Sequence, residues 1–167
     1  MIALLDVTGG NPFEEHPQLQ GIWPAEFQAL AEEATRETVV DDMPRGDFGG
    51  LYLMVKDGRV IGITGYFYVE TVDEPFLRWH GIVPAERGKG HSRQALQLLI
   101  ERIKAKIPHV KGLTELVPQT LTDYGMGLAR HFEKLGFANH GALETYDWSP
   151  YHWQPVRLDI AALLQNR

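Results

Sequence analysis

Arg87-Gly88-Lys89-Gly90-His91-Ser92 follows an apolar run, Phe76-Leu77-Arg78-Trp79-His80-Gly81-Ile82-Val83-Pro84. It opens a stretch in which Leu96, Ile100, Ile103 and Ile107 recur at helical spacing. The order predicts a strand, a tight glycine-containing turn and a helix N-terminus. Such a junction attracts anions, because the first helical N–H groups lack internal partners and the helix dipole is positive there. Glycine lets a phosphate approach the backbone with no Cβ in the way. Arg87 and Lys89 add formal positive charge. A surface turn with two scattered basic residues is the plainer alternative. The stretch reads as a cradle for a phosphorylated cofactor.

Outward from this junction the chain alternates strands and helices. Met1 to Val7 reads as a short first strand, and the Gly- and Pro-rich segment 9–24 as a loop. Ala25 to Thr38 reads as a helix, with Phe27, Leu30, Ala31 and Ala34 at helical spacing. Segment 41–50 reads as another loop. Leu51 to Val55 and Val60 to Glu70 flank Asp57-Gly58, a strong hairpin signal. Alternation puts Ile61, Ile63, Gly65, Phe67 and Val69 on one face, and Tyr66, Tyr68 and Glu70 on the other. Phe76 to Val83 is the next strand, and a helix runs from Gly90 to Ile107. A strand over Leu113 to Val117 and a helix over Tyr124 to Leu135 follow. Phe137 to Ala142 and Val156 to Ile160 are candidates for the last two strands.

Composition bounds the function. A chain of 167 residues is of single-domain size, here 1–167, and 44% hydrophobic content suits a globular core. With no cysteine there is no disulfide, no thiolate nucleophile and no Cys-ligated metal. A net charge of −6 argues against broad binding to nucleic acid or anionic membrane and suits a cationic acceptor. No secretion signal or membrane span is visible, so a cytoplasmic protein is the default expectation.

The spacing of the junction is neither the dinucleotide G-x-G-x-x-G nor the NTPase loop G-x-x-x-x-G-K-[ST]. Arg87, two residues, Gly90, one residue and a small residue resemble the R-x-x-G-x-G/A signature of the GNAT superfamily of N-acetyltransferases. Ser92 stands where that family usually has Gly or Ala. A second segment, Ala129-Arg130-His131-Phe132-Glu133-Lys134-Leu135-Gly136-Phe137, resembles the family's helix ending in a Tyr-Glu-Lys-Leu-Gly-Phe-like run. The resemblance covers about Leu51 to Phe137. The resemblance implies an α/β (α+β) fold with a central mixed, mostly antiparallel sheet flanked by helices. It implies acetyl-coenzyme A as co-substrate, no metal, and loop amides from Arg87, Gly88, Lys89, Gly90, His91 and Ser92 on its pyrophosphate. It also implies that two central strands splay apart around pantetheine, which places Ile82 and Val83 beside it. One departure stands out: Phe132 occupies the position of the family's Tyr, the usual general acid.

Acetyl transfer needs a neutral amine, donors for an oxyanion, an oriented cofactor and sometimes a proton for the leaving thiolate. Gly81 is a candidate for the bulge that starts the splay, or else a packing gap. Alternation places Phe76, Arg78, His80 and Ile82 on one face, so His80 would share the cleft with Ile82. An imidazole with a pKa of ~6.5 suits a base at neutral pH. Glu115, on the neighbouring strand, is a second candidate, and Glu70 a third. Each also has a plain reading, as a satisfied core histidine or a solvated carboxylate. Phe132 is expected to pack on the cofactor's thiol end. Tyr124, about two turns earlier, is the substitute acid or else a packing residue. His131 is expected to face solvent.

The acceptor pocket would be built from segments 11–23, 41–50 and 146–153, the last holding Tyr146, Trp148, Tyr151, His152 and Trp153. These aromatics suit a pocket, a homodimer contact or plain packing. Asp41, Asp42, Asp73 and Glu74 are candidates for attracting a cation. Two functions are open: an N-acetyltransferase acting on a small-molecule or peptide amine, and a coenzyme A-binding module that has lost its chemistry.

Overall fold

The computed structural model describes residues 1–7, 10–39, 49–120, 122–147 and 149–165. Strand β1 (Ile2–Asp6) precedes a short helix α1 (Pro12–Glu15) and a single 3-10 turn, Pro17–Leu19. These two turns lie in the segment expected to be a loop. Their signal is local: Asn11 caps α1, accepting a hydrogen bond from Phe13 N at 3.1 Å, and Pro12 sits at its first position. Helix α2 (Ala25–Val39) follows as expected, and the loop reading of segment 41–50 falls almost wholly outside the described residues. Strands β2 (Gly49–Lys56) and β3 (Arg59–Val69) turn at Asp57-Gly58, both at positive φ. Strand β4 (Glu74–Ile82), helix α3 (His91–Lys106), strand β5 (Gly112–Pro118) and helix α4 (Asp123–Leu135) come next. The C-terminal part holds β6 (Ala138–Asn139), β7 (Glu144–Thr145), β8 (His152–Asp159) and α5 (Ile160–Gln165). Strand β8 begins before Val156, and Ile160 starts a helix rather than ending a strand.

Among the described residues these strands form one sheet in the order β1-β2-β3-β4-β5-β8-β6, with β7 also on β8. Every pairing is antiparallel except β4 with β5. The sheet separates two apolar clusters. One lies under α3: Leu96, Leu99, Ile100 and Ile103 are fully buried there with Leu77, Ile82, Leu113 and Phe132. This is the helical stripe expected from the sequence, Ile107 included, extended by Leu99. The other lies under α1 and α2 and contains Phe13, Trp23, Phe27, Ile63 and Trp153.

Two irregularities override simple alternation. Between β2 and β3 the register slips near Met54 and Val55, and Ile61 joins the α3-side cluster while Ile63 joins the other. Between β3 and β4, Ile63 pairs with Gly81 and Gly65 with Arg78, so Trp79 and His80 both lie opposite Thr64. That is a bulge. Trp79 marks it with a φ of 46°, rare for a bulky residue. The bulge therefore sits at Trp79 and not at Gly81. Gly81 answers to close packing: a Cβ there would lie 2.4 Å from Ile22 and 2.8 Å from Trp23.

Candidate active site

The bulge changes which side chains face which side. Arg78 donates to the Ala34 carbonyl of α2 at 2.8 Å, and Trp79 packs on the α2-side cluster. His80 and Ile82 point the other way, towards α3. Phe76, Arg78, His80 and Ile82 thus do not share a face. An extra residue in the strand breaks their period of two.

Strands β4 and β5 touch at one register pair, Phe76 with Thr114, and then diverge. The divergence opens a cavity of about 760 Å³. It reaches across the sheet, from Leu128 and Phe132 of α4 to Phe27 and Ala34 of α2. His80, Glu115 and Tyr124 all line it, as do Arg78, Trp79 and Trp153. The fold thus gathers the three catalytic candidates around one space. Glu70, exposed at the end of β3, is not part of it.

Each titratable group there is shaped by burial. His80, 8% exposed, uses both ring nitrogens: Nδ1 lies 2.9 Å from Thr64 Oγ1 and Nε2 lies 2.6 Å from Ser92 Oγ. Burial, with a smaller push from His131, lowers its pKa to about 3. His131, expected in solvent, is half-buried and meets the same Ser92 hydroxyl at 3.0 Å. Glu115 lines the cavity, and loss of hydration raises its pKa to about 8 against the pull of a 2.8 Å hydrogen bond from Leu116 N. Tyr124 lies tilted against Phe27, with ring centres 5.2 Å apart and planes at 36°. Burial, and then the nearby Glu115 carboxylate, push its phenol up to about 12. Tyr124, Leu128 and Phe132 form a stripe four residues apart on α4, facing the cavity. Phe132 is buried against Phe137, ring centres 5.1 Å apart.

At the α3 end the junction takes the shape its sequence implies. Gly90 occupies the N-cap in the left-handed region, φ 77°, with no side chain capping the first turn. No acidic residue stands in that turn. A Cβ at Gly88 or Gly90 would meet nothing within 4 Å, so the space over the amides is open. His91 gives Nε2 to Glu86 at 3.1 Å and keeps Nδ1 buried without a partner. An open anion site with an orphaned polar atom beside it suits a pyrophosphate.

The basic side chains are less available than their sequence suggests. Arg87 turns inward, donating from Nε to the Ile82 carbonyl at 3.1 Å and from Nη2 to the Ile22 carbonyl at 2.5 Å. Lys89 pairs with Glu86 at 3.0 Å, and Glu86 also faces Lys56 at 3.6 Å. The Val83 N–H is given to the Ile61 carbonyl at 2.9 Å.

Of the expected acceptor segments, Trp23 and Trp153 reach the cavity, and Tyr146 and Tyr151 pack behind it. Trp148, Asp41 and Asp42 lie outside the described residues. Asp73 and Glu74 do not line the cavity. Asp73 is held by Tyr68 and His109, and Glu74 by Arg157 at 2.7 Å. Phe27, Arg78 and Trp79 are cavity residues that sequence reasoning missed as such. Phe27 was visible only as a helix core position, and the other two depend on the bulge.

A sequence model of the acetyltransferase (GNAT) family matches residues 15–137. No curated protein matches the chain by sequence. Several solved structures share the fold at low identity. The SpeG spermidine N-acetyltransferase chimera from Vibrio cholerae and hSSAT is 14% identical over 99% of both chains, TM-score 0.69. The ribosomal L7/L12 alpha-N-protein acetyltransferase RimL, in complex with coenzyme A, is 13% identical over 96% of this chain and 95% of that one, TM-score 0.68. The aminoglycoside acetyltransferase AAC(6')-Ib, also with coenzyme A, is 14% identical over 100% and 99%, TM-score 0.68. With the family match covering most of its length, the chain belongs to the acetyltransferase (GNAT) family and is an N-acetyltransferase.

Proposed function

We propose that the protein transfers the acetyl group of acetyl-coenzyme A to a primary amine of a small molecule or peptide by direct attack on the thioester, with Glu115 accepting the amine's proton. The observation that carries this reading is the divergence of β4 and β5 beyond Phe76 and Thr114. It opens a cavity with an aromatic wall and Glu115 inside; the Arg87–Ser92 junction does not line it, but His80 on its lining reaches Ser92 at the start of α3 at 2.6 Å. The co-substrate supplies an activated acyl group on a thiol of pKa about 8.5, a tolerable leaving group. The backbone of Arg87, Gly88, Lys89, Gly90, His91 and Ser92 holds its pyrophosphate. Ile82 and Val83 flank its pantetheine arm, and Phe132 packs on the thiol end. Coenzyme A in two of the similar structures supports this assignment.

Glu115 fits the base better than His80. A carboxyl raised to about 8 is roughly one-tenth ionised at pH 7 and half ionised near pH 8, and its ionised form is a far stronger base than an ordinary carboxylate. An imidazole held at about 3, with both nitrogens engaged, has little basicity left. Tyr124 keeps its proton at all working pH values and is the donor available to the departing sulfur.

The test is Glu115→Gln, assayed by coenzyme A release over a pH series. Loss of a general base should lower kcat/KM by roughly 10²–10⁴-fold. The limb near pH 8 should vanish, while calorimetric affinity for coenzyme A stays within error. A near-normal rate with the limb retained would remove Glu115 from the role.

A further inference from the structure

We infer that Arg87 is a positioning residue. Its guanidinium ties the segment bearing Trp23 to the end of β4, and so sets the acceptor wall of the cavity against the cofactor side. The inference rests on the transferase reading above and deepens it. Its basis is the pair of carbonyls that the guanidinium holds.

Arg87 opens the junction whose backbone forms the cradle, but its side chain turns away from it. Nε donates to the Ile82 carbonyl at 3.1 Å and Nη2 to the Ile22 carbonyl at 2.5 Å, 65 residues away in the chain. Both donors belong to one planar group, so the two carbonyls are held at a fixed spacing. A charged donor also holds its acceptor more firmly than a neutral one. The Ile22 end needs such a tie, because residues 20–24 belong to no helix or strand. They fit closely on β4, where a Cβ at Gly81 would stand 2.4 Å from Ile22. Trp23, the next residue, lines the cavity and meets Trp79 of β4 edge to face, ring centres 5.7 Å apart.

The Ile82 end lies on the cofactor side. The Val83 N–H goes to the Ile61 carbonyl of β3, and the backbone groups of successive strand residues point to opposite sides. The Ile82 carbonyl therefore points away from β3, to the side where β5 diverges from β4. On the transferase reading this edge flanks the pantetheine arm. The charge of Arg87 also reaches Tyr124 of the cavity lining and His131, both on α4. The guanidinium thus stands where β4, α4 and the segment before α2 converge. A shift of about 1 Å between two reactants can cost ~10²-fold in rate. A tie between their two walls therefore bears on turnover more than on cofactor affinity. An arginine serving the pyrophosphate would act instead through its charge and its remaining donors.

The test compares the full wild-type chain with Arg87→Ala and Arg87→Lys. Lysine keeps the charge but lacks the fork, so it separates the two roles. Calorimetry should find coenzyme A affinity within about threefold of wild type in both variants. Residue-resolved hydrogen exchange follows the Trp23 amide, which donates to Gln28 Oε1 at 3.4 Å. It should exchange on the order of tenfold faster in both, the scale of one lost charge-assisted hydrogen bond. Wild-type exchange along α3 shows that a variant is folded, and Arg87→Gln replaces one that is not. Kinetics use whichever of propylamine, 2-phenylethylamine, spermidine and kanamycin the wild type acetylates fastest. Its kcat/KM should fall on the order of 100-fold in both variants, while KM for acetyl-coenzyme A stays within about threefold. Calorimetry and exchange need no acceptor. A tenfold or greater loss of coenzyme A affinity in Arg87→Ala, restored in Arg87→Lys, gives the side chain to the pyrophosphate and overturns the tie. So does wild-type exchange at Trp23 in a folded variant. Failure of the wild-type chain to bind coenzyme A overturns the transferase reading and the inference with it, whereas the other two outcomes strike the inference alone.

Discussion

The proposed cofactor cradle at the start of α3 is made by the backbone, whereas the wall of the cavity on the α2 side is made by side chains. On the proposed reading the cradle at Gly88–Ser92 works through amides that α3 cannot satisfy and through the left-handed turn at Gly90. Its charged side chains are occupied elsewhere, Arg87 with the Ile22 and Ile82 carbonyls and Lys89 with Glu86. The opposite wall works through the rings of Trp23, Phe27, Trp79 and Trp153, which four separate segments bring together. The difference shows how one fold can keep a common cofactor and vary its acceptor. A backbone site needs only a few residues at fixed spacing. A side-chain wall can be rebuilt one residue at a time.

The comparison breaks first at Gly90. Gly90→Asp forces a residue with a Cβ into φ 77°, at about 1–2 kcal/mol. It also sets a negative charge at the helix N-terminus, where the pyrophosphate would gain up to ~2 kcal/mol. The strain burdens the free and bound protein alike and lowers stability, while the charge bears on binding, so coenzyme A affinity should fall on the order of 30-fold. Unchanged calorimetric affinity would mean that the cofactor does not sit on this turn.

Phe132, at the seam between the two walls, comes next. It is 3% exposed and packs on Phe137. Phe132→Ala should cost about 3 kcal/mol or more of stability by leaving a cavity, and should weaken coenzyme A binding as well. Phe132→Tyr should bind coenzyme A normally and gain little turnover if Tyr124 supplies the proton. Tyr124→Phe checks that point, with lost turnover at unchanged affinity as the expected result. Full activity in Tyr124→Phe would show that the thiolate leaves without a side-chain acid.

What the sequence made legible follows the same division. The turn at Asp57-Gly58, the α3 stripe and the Arg87–Ser92 junction depend on neighbours in the chain, and each formed where its pattern placed it. The bulge at Trp79 depends on Thr64 across the strand and on Ile22 and Trp23 packed against Gly81. Nothing within β4 signals it. Once it forms, His80 moves to the α3 side and Trp79 to the acceptor wall. Reading the strand by simple alternation therefore misassigned the face of Arg78. Likewise His131 looked exposed on helical spacing alone, but the Ser92 hydroxyl, 39 residues earlier, holds it half-buried.

Two titratable groups of the cavity lining, His80 and Glu115, set opposite pH limits on stability. His80 is held at about 3 against an unfolded value near 6.5, so between those values the unfolded chain binds the extra proton. Stability falls as pH drops from 6.5 towards 3, by up to ~1.4 kcal/mol per pH unit. Glu115 is raised to about 8 from about 4.5, so the folded chain binds the extra proton. Stability then falls as pH rises from 4.5 to 8. The slopes oppose each other between 4.5 and 6.5, where these two groups together leave a plateau. Urea titrations of His80→Gln should keep the alkaline decline and lose the acid one. Glu115→Gln should do the reverse. A wild-type acid decline surviving in His80→Gln would place its cause elsewhere.

The smallest effect sharpens the comparison most. Lys89 is the obvious phosphate ligand in the sequence, yet its side chain is 48% exposed and paired with Glu86 at 3.0 Å. Exposed pairs of this kind contribute at most about 1 kcal/mol and are screened by salt. Removing the ammonium also frees Glu86, which still faces Lys56 and His91. Lys89→Ala should therefore lower coenzyme A affinity by less than about tenfold, and the loss should shrink further at high salt. Gly90→Ala, which sets a Cβ over the amides without a charge, should cost less affinity than Gly90→Asp. That order follows if the amides hold the pyrophosphate and the lysine only tunes the field around them. If Lys89→Ala instead matched Gly90→Asp, the cradle would be a site of side-chain charge like its opposite wall, and the contrast between the two would collapse.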